Sequence, residues 1–115
     1  MLKNDFVTLD DGRIAIPLLQ NIIDETTLKI ISSTIDTAKN VFQICYDNKI
    51  PLSSTYRKIR KLQQEGLVSI EKIETDGKGR RVALYRSKIK SLDFNLKKES
   101  VLLQFETNDG FLNNH

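Results

Sequence analysis

The sequence predicts an α+β fold: three helices, then a two-stranded hairpin, with a further C-terminal β-hairpin behind it. Three observations carry that prediction. Apolar residues recur at helical spacing over 25–65, β-branched residues crowd into Leu67–Ile73 and Val82–Ile89, and a period of two returns over Leu92–Phe105. With 115 residues, 39% of them hydrophobic, the chain is the size of one domain with one modest core. Its expected segments are an N-terminal extension over 1–23, a helical and hairpin domain over 24–90, a hairpin extension over 91–106 and a frayed polar tail over 107–115.

In chain order, Phe6 to Ile16 reads as two short apolar stretches around Asp11-Gly12. That dipeptide suits a tight turn because both residues tolerate positive φ, so a small hairpin is expected. Pro17 then precedes Leu18-Leu19 and Ile22-Ile23, which form either a short helix with Pro17 in its first turn or an extended lead-in. Asp24 is a good N-cap, and Leu28, Ile31 and Ile35 define a first periodic helix over about 25–35. Asp36 or Thr37 caps a second over about 38–47, with Val41, Ile44 and Cys45 facing inward. Asn48-Lys49-Ile50-Pro51 is a turn, since a residue before proline is biased out of the α region.

A third helix follows over about 52–65, capped by Ser53 or a neighbour, with Thr55, Ile59 and Leu62 as its inward stripe and Gly66 as its closing C′ glycine. Advancing about 100° per residue leaves Ser53, Arg57, Arg60, Lys61 and Gln64 facing outward, with Tyr56 and Lys58 on the flanks. The first hairpin turns through Glu74–Arg81, where Gly77 and Gly79 permit a tight tip carrying Lys78, Arg80 and Arg81. In the second, Leu92, Phe94 and Leu96 alternate against Val101, Leu103 and Phe105, so each strand presents three apolar side chains to one face.

Charge is unevenly spread. Residues 1–50 hold five basic and seven acidic side chains, residues 51–90 eleven and four, and residues 91–115 two and four, net −2, +7 and −2 in turn. A basic block between mildly acidic segments is the footprint of a polyanion-binding surface. One cysteine, Cys45, and one histidine, His115, leave no means of building an internal disulfide, a Cys/His zinc site or a histidine triad within one chain. Carboxylates such as Asp10 and Asp11 have no recognisable base or nucleophile beside them, so no enzymatic activity, cofactor or metal is expected. No apolar run reaches the roughly 18–20 residues of a membrane span, and Asp5 falls where a signal peptide needs apolar residues. The expectation is a cytoplasmic chain with no membrane partner.

Helix, helix, turn, helix, then a hairpin with a basic tip is the order of a winged helix-turn-helix. The stretch Ile50-Pro51-Leu52-Ser53-Ser54-Thr55-Tyr56-Arg57-Lys58-Ile59-Arg60-Lys61-Leu62-Gln63-Gln64-Glu65-Gly66-Leu67-Val68 resembles the second-to-third-helix passage of ArsR-like and related prokaryotic winged-helix transcription regulators. Proline, small hydroxyl residues, a basic helix and a Gly-Leu-Val exit carry the likeness, which covers residues 25–88, is weak before them and almost absent after 91. The resemblance implies a sequence-specific regulator of transcription acting on double-stranded DNA as a homodimer, with no effector assigned. Metal sensors of that family use paired cysteines, which Cys45 does not supply; their C-terminal dimerisation helix is replaced here by a hairpin. Residues 18–35 and 92–105 are therefore the two candidate interfaces.

The physical case is independent of the name. A helix about 10–12 Å across fits the major groove of B-DNA, about 12 Å wide. On that reading Arg57 pairs with guanine, Ser53 and Ser54 meet a base or phosphate, and Tyr56, Lys58, Arg60 and Lys61 meet phosphates, while Lys78, Arg80 and Arg81 reach the flanking backbone or a minor groove. Each has a plainer alternative: the hydroxyls as helix caps, Tyr56 as a core-edge aromatic, the basic residues as a solvated face. Gly77-Lys78-Gly79 is a turn and not a phosphate loop, since no Lys-Ser/Thr pair follows it. The alternative function is a winged-helix module that docks a protein partner without reading DNA. RNA binding is disfavoured because the aromatics form no stacking platform on a sheet.

Overall fold

A computed structural model describes residues 6–98 and 100–108. The fold is α+β, with elements β1 (Phe6–Leu9), α1 (Gly12–Ile22), α2 (Glu25–Ser33), α3 (Val41–Asn48), α4 (Leu52–Gln64), β2 (Val68–Thr75), β3 (Arg81–Ser87), β4 (Ile89–Lys97) and β5 (Ser100–Thr107). Two antiparallel sheets result, one of order β1-β5-β4 and the other β2-β3. Among the described residues no helix is long and apolar enough to cross a membrane.

The helical region forms as expected, with corrections at its ends. Asp24 caps α2, accepting from the Thr27 N–H at 3.0 Å and the Thr27 hydroxyl at 2.6 Å. The buried stripe is Thr27, Ile30, Ile31 and Thr34; Leu28, expected inside, is 47% exposed. Threonine is tolerated there because each hydroxyl is satisfied locally, that of Thr34 donating to the Ile30 and Ile31 carbonyls. The helix over 38–47 starts later than expected, at Val41, because Asn40 and Gln43 form a reciprocal capping box that Asp36 and Thr37 do not. The residues before it lie against β3, where Lys39 and Tyr85 exchange backbone hydrogen bonds of 3.0 and 2.8 Å.

Lys49 takes the left-handed conformation that ends α3, and α4 begins behind Pro51 without a side-chain cap. Ser53 is not its N-cap, and the Ser54 and Thr55 hydroxyls instead donate back to the Pro51 carbonyl, at 3.3 and 2.7 Å. Thr55, Ile59 and Leu62 are buried as the stripe requires. At the far end Gly66 has φ +76°, the Leu67 N–H donates to Leu62 and the Gly66 N–H to Gln63, the paired bonds of a Schellman motif. That motif turns the chain directly into β2.

Both C-terminal hairpins form, and the N-terminal segment joins the second. The hairpin expected around Asp11-Gly12 does not exist: Phe6–Leu9 pairs with β5, while Asp11 caps α1 by accepting from the Arg13 N–H at 3.0 Å. Aspartate before a helix start offers a bond that a turn does not require. Pro17 lies inside α1, neither in its first turn nor in an extended lead-in. The tail expected to fray from residue 107 is ordered at its start: Thr107 ends β5, and Asn108, 6% exposed, donates to the carbonyls of Ile35 and Ser87 at 2.8 and 3.0 Å. The remainder of that tail, 109–115, lies outside the described residues. One core joins all of this, with Ala15 and Ile22 of α1, Ile30 and Ile44, Ile59 and Leu62 of α4, and Leu103 and Phe105 of β5 in a single cluster. Each of the larger side chains contributes about 1.5–3 kcal/mol on burial.

Candidate nucleic-acid interface

Because Thr55, Ile59 and Leu62 anchor α4, the opposite face is fixed by geometry: Ser53, Arg57, Arg60, Lys61 and Gln64 are all exposed. The helix divides the basic residues between two sides. On one, Tyr56, 40% exposed, faces a cleft of about 300 Å³ that it shares with Phe42, Arg80, Arg81 and Tyr85. Arg60 leans the same way, since it and Tyr56 both act electrostatically on Tyr85, whose phenol is pushed up chiefly by burial, further by Tyr56, and eased by the Arg60 charge. On the other side, Lys58 and Lys61 line a smaller depression with Gln20, Asn21 and Asp24.

Lys58 is consequently not a free cation. Its ammonium donates to the Asp24 carboxylate at 3.0 Å, joining α4 to the N-cap of α2. Partial burial works to raise the Asp24 pKa, yet the Thr27 hydroxyl, the Thr27 N–H and the Lys58 charge together lower it to about 2. Asp24 therefore stays ionised and keeps Lys58 engaged. Asn21 likewise donates to Glu65 at 2.6 Å, tying α1 to the end of α4.

The tip of the β2–β3 hairpin is built around one carboxylate. Asp76 accepts from the backbone N–H groups of Arg80 at 2.9 Å and Lys78 at 2.8 Å and from the Arg80 guanidinium at 2.9 Å, bonds that hold it below the usual carboxylate range. Of the two tip glycines only Gly79 uses its freedom, at φ +80°. Lys78, Arg80 and Arg81 are exposed, and Arg80 alone of these three has its charge partly matched, by Asp76.

At the base of the hairpin Arg86 is structural. It donates to the Ile35 carbonyl at 2.8 Å and pairs with Glu71 at 2.9 Å, both side chains largely buried. Phe42 and Tyr46, 57% and 85% exposed, lie outside the expected site, although their spacing on the face opposite Val41 and Ile44 marks them as outward. Tyr85 was hidden by its position in a strand. Comparison of this chain with known proteins finds no matching family model and no matching curated protein.

Proposed function

We propose that this chain is a sequence-specific double-stranded DNA-binding regulator of transcription with a winged helix-turn-helix architecture, α4 lying in the major groove and the β2–β3 tip on the flanking backbone. The observation that carries the reading is the convergence of Tyr56 of α4 with Arg80 and Arg81 of the hairpin on one cleft, with Arg60 of α4 acting on Tyr85 from the same side. Two separate elements thus offer cations to one side of the molecule, as a groove and its adjoining phosphates require. The order α2, Lys39 bridge, α3, α4, β2, β3 supports the architecture. Arg57, at the centre of the exposed face, is assigned to base reading. Ser53 and Ser54 stand near the N-terminal end that enters a groove most deeply, and Arg60, Lys61 and Tyr56 flank it toward phosphates. Lys58 contributes only when Asp24 releases it.

The test is fluorescence anisotropy against a random duplex pool at several salt concentrations, with retained sequences read out. The expected outcome is an enriched motif and a steep loss of affinity with salt. Arg57→Ala is expected to cost about 1–3 kcal/mol and relax preference at one base position, whereas Arg81→Ala weakens all sequences alike and flattens the salt slope by about one unit. Equal losses on specific and random DNA for both variants overturn these roles. The exposed Phe42 and Tyr46 favour a second reading, a protein-docking module, and absence of DNA binding at low salt would transfer the assignment to it.

A further inference from the structure

Among the described residues, the β1-β5-β4 sheet is covered on only part of one face. Leu92, Phe94 and Leu96 of β4 stand opposite Phe105, Leu103 and Val101 of β5. α1 packs over β5, so Leu103 and Phe105 are buried, whereas Phe94 and Leu96 remain 47% and 75% exposed. α1 and the residue that ends it also leave apolar side chains open beside β4: Ile16, 43% exposed, lines a depression with Leu96, and Ile23, 60% exposed, lines another with Leu92. β4 is an edge of its sheet. Proteins blunt long edges with proline, lysine, bulges or brevity. Among the described residues β1, the opposite edge, is 4 residues long, but from Ser91 to Leu96 β4 has neither proline nor lysine, Asp93 is its one charge, and its irregularity lies before Ser91.

We propose that β4 is a dimerisation strand, through which two copies of this chain pair antiparallel about a two-fold axis at Phe94. The occupant follows from how β4 matches itself. Centred on Phe94, the ladder sets Leu92 against Leu96 of the second copy, Asp93 against Asn95 and Ser91 against Lys97, with the two Phe94 rings together on the axis. Between Ser91 and Lys97 no like charges oppose one another, and the one like pair of this register, Lys90 with Lys98, falls where β4 has ended. A slip of one residue sends the apolar set to the opposite face of the partner strand. Centring on Asp93 apposes two carboxylates and sets Leu96 against Lys90. Centring on Asn95 gains an Asp93–Lys97 pair but sets Leu92 against Lys98.

The helices agree with the same register. Three strand spacings separate the two β5 strands, about 14 Å, while packed helices sit about 8–10 Å apart. The two copies of α1 over those strands leave a narrow valley between them. Ile23 sits at the Leu92 end and Ile16 at the Leu96 end, so pairing Leu92 with Leu96 of the second copy brings Ile23 of one chain toward Ile16 of the other across the Phe94 pair.

This proposal is independent of the nucleic-acid reading and is tested without DNA. Sedimentation equilibrium of the full chain, from low to high micromolar, is expected to show a monomer–dimer equilibrium. Leu96→Lys, at a position already mostly in solvent, is expected to weaken it by about tenfold or more with an unchanged circular dichroism spectrum. In a Cys45→Ser background, Phe94→Cys on the axis is expected to form an intermolecular disulfide on mild oxidation, and Asp93→Cys and Asn95→Cys, off the axis, to form little. A wild-type monomer throughout, a Leu96→Lys dimer of undiminished strength, or cross-linking with no preference for position 94 overturns the proposal.

Discussion

Asp24 serves α2 and α4 at once. Its carboxylate closes the first turn of α2 through Thr27 and holds the Lys58 ammonium at 3.0 Å, and its pKa is lowered from 3.8 to about 2. A group with a depressed folded pKa contributes stability that is fully present above its unfolded value and is lost as pH falls through the folded one. The loss is therefore expected between about pH 4 and pH 2, and because the pair is a third exposed it amounts to about 1 kcal/mol. Thermal melts across that range check it. Asp24→Asn retains a capping oxygen and is expected to remove this pH dependence while costing less at neutral pH than Asp24→Ala, which also loses the cap, worth about 1 kcal/mol. Asparagine also releases Lys58, so the salt slope for DNA is expected to steepen by up to about one unit. Gly66 is another position where one residue decides local geometry. It sits at φ +76° with open space around its α-carbon, so Gly66→Ala pays only for backbone strain, about 1 kcal/mol, read as a lower urea midpoint with an unchanged m-value.

At the scale of elements, α1 contains the clearest conflict between local preference and fold. Pro17 is exposed within the helix, where it cannot donate to the Arg13 carbonyl. Proline in a helix interior is less favourable than alanine by about 3 kcal/mol. Pro17→Ala is therefore expected to stabilise the chain, by about 1–3 kcal/mol after the lost rigidity of the unfolded state is offset, and denaturant unfolding measures it. That conflict also explains why the segment before α2 was the least legible part of the sequence. Asp11-Gly12 and Pro17 both signal turns locally, and the segment is helical because Asp11 caps it and Ala15 and Ile22 share a core with β5, more than 80 residues away. α4 was legible because its apolar period, Pro51 and Gly66 all agree, the first hairpin from its β-branched stretches around a glycine-containing turn, and the second from alternation. Of the candidate site, exposure could be read from the α4 period, but pairing could not. The Lys58–Asp24 contact spans 34 residues and the shared cleft of Tyr56 and Arg81 joins two elements, and neither leaves a mark on local spacing.

At the scale of the whole molecule, the two proposals make a joint demand that neither makes alone. A two-fold axis at Phe94 carries two copies of α4, so a DNA site that engages both must be an inverted repeat. The linkage between copies then acts as an effective concentration: once one α4 is seated, the second binds intramolecularly, which raises affinity by about 10²–10⁴. Leu96 lies in β4, outside α4 and the β2–β3 tip, so Leu96→Lys removes the linkage and leaves Arg57, Arg60 and Arg81 in place. The variant is therefore expected to keep its affinity for an isolated half-site, to lose about 10²-fold or more on the full inverted repeat, and to show about half the wild-type salt slope there, because one chain displaces half the counterions. Anisotropy titrations of both proteins on half-site and full-site duplexes measure all three quantities. Equal affinity of variant and wild type on the full site would separate the proposals, leaving DNA reading to the single chain and β4 pairing with no part in it.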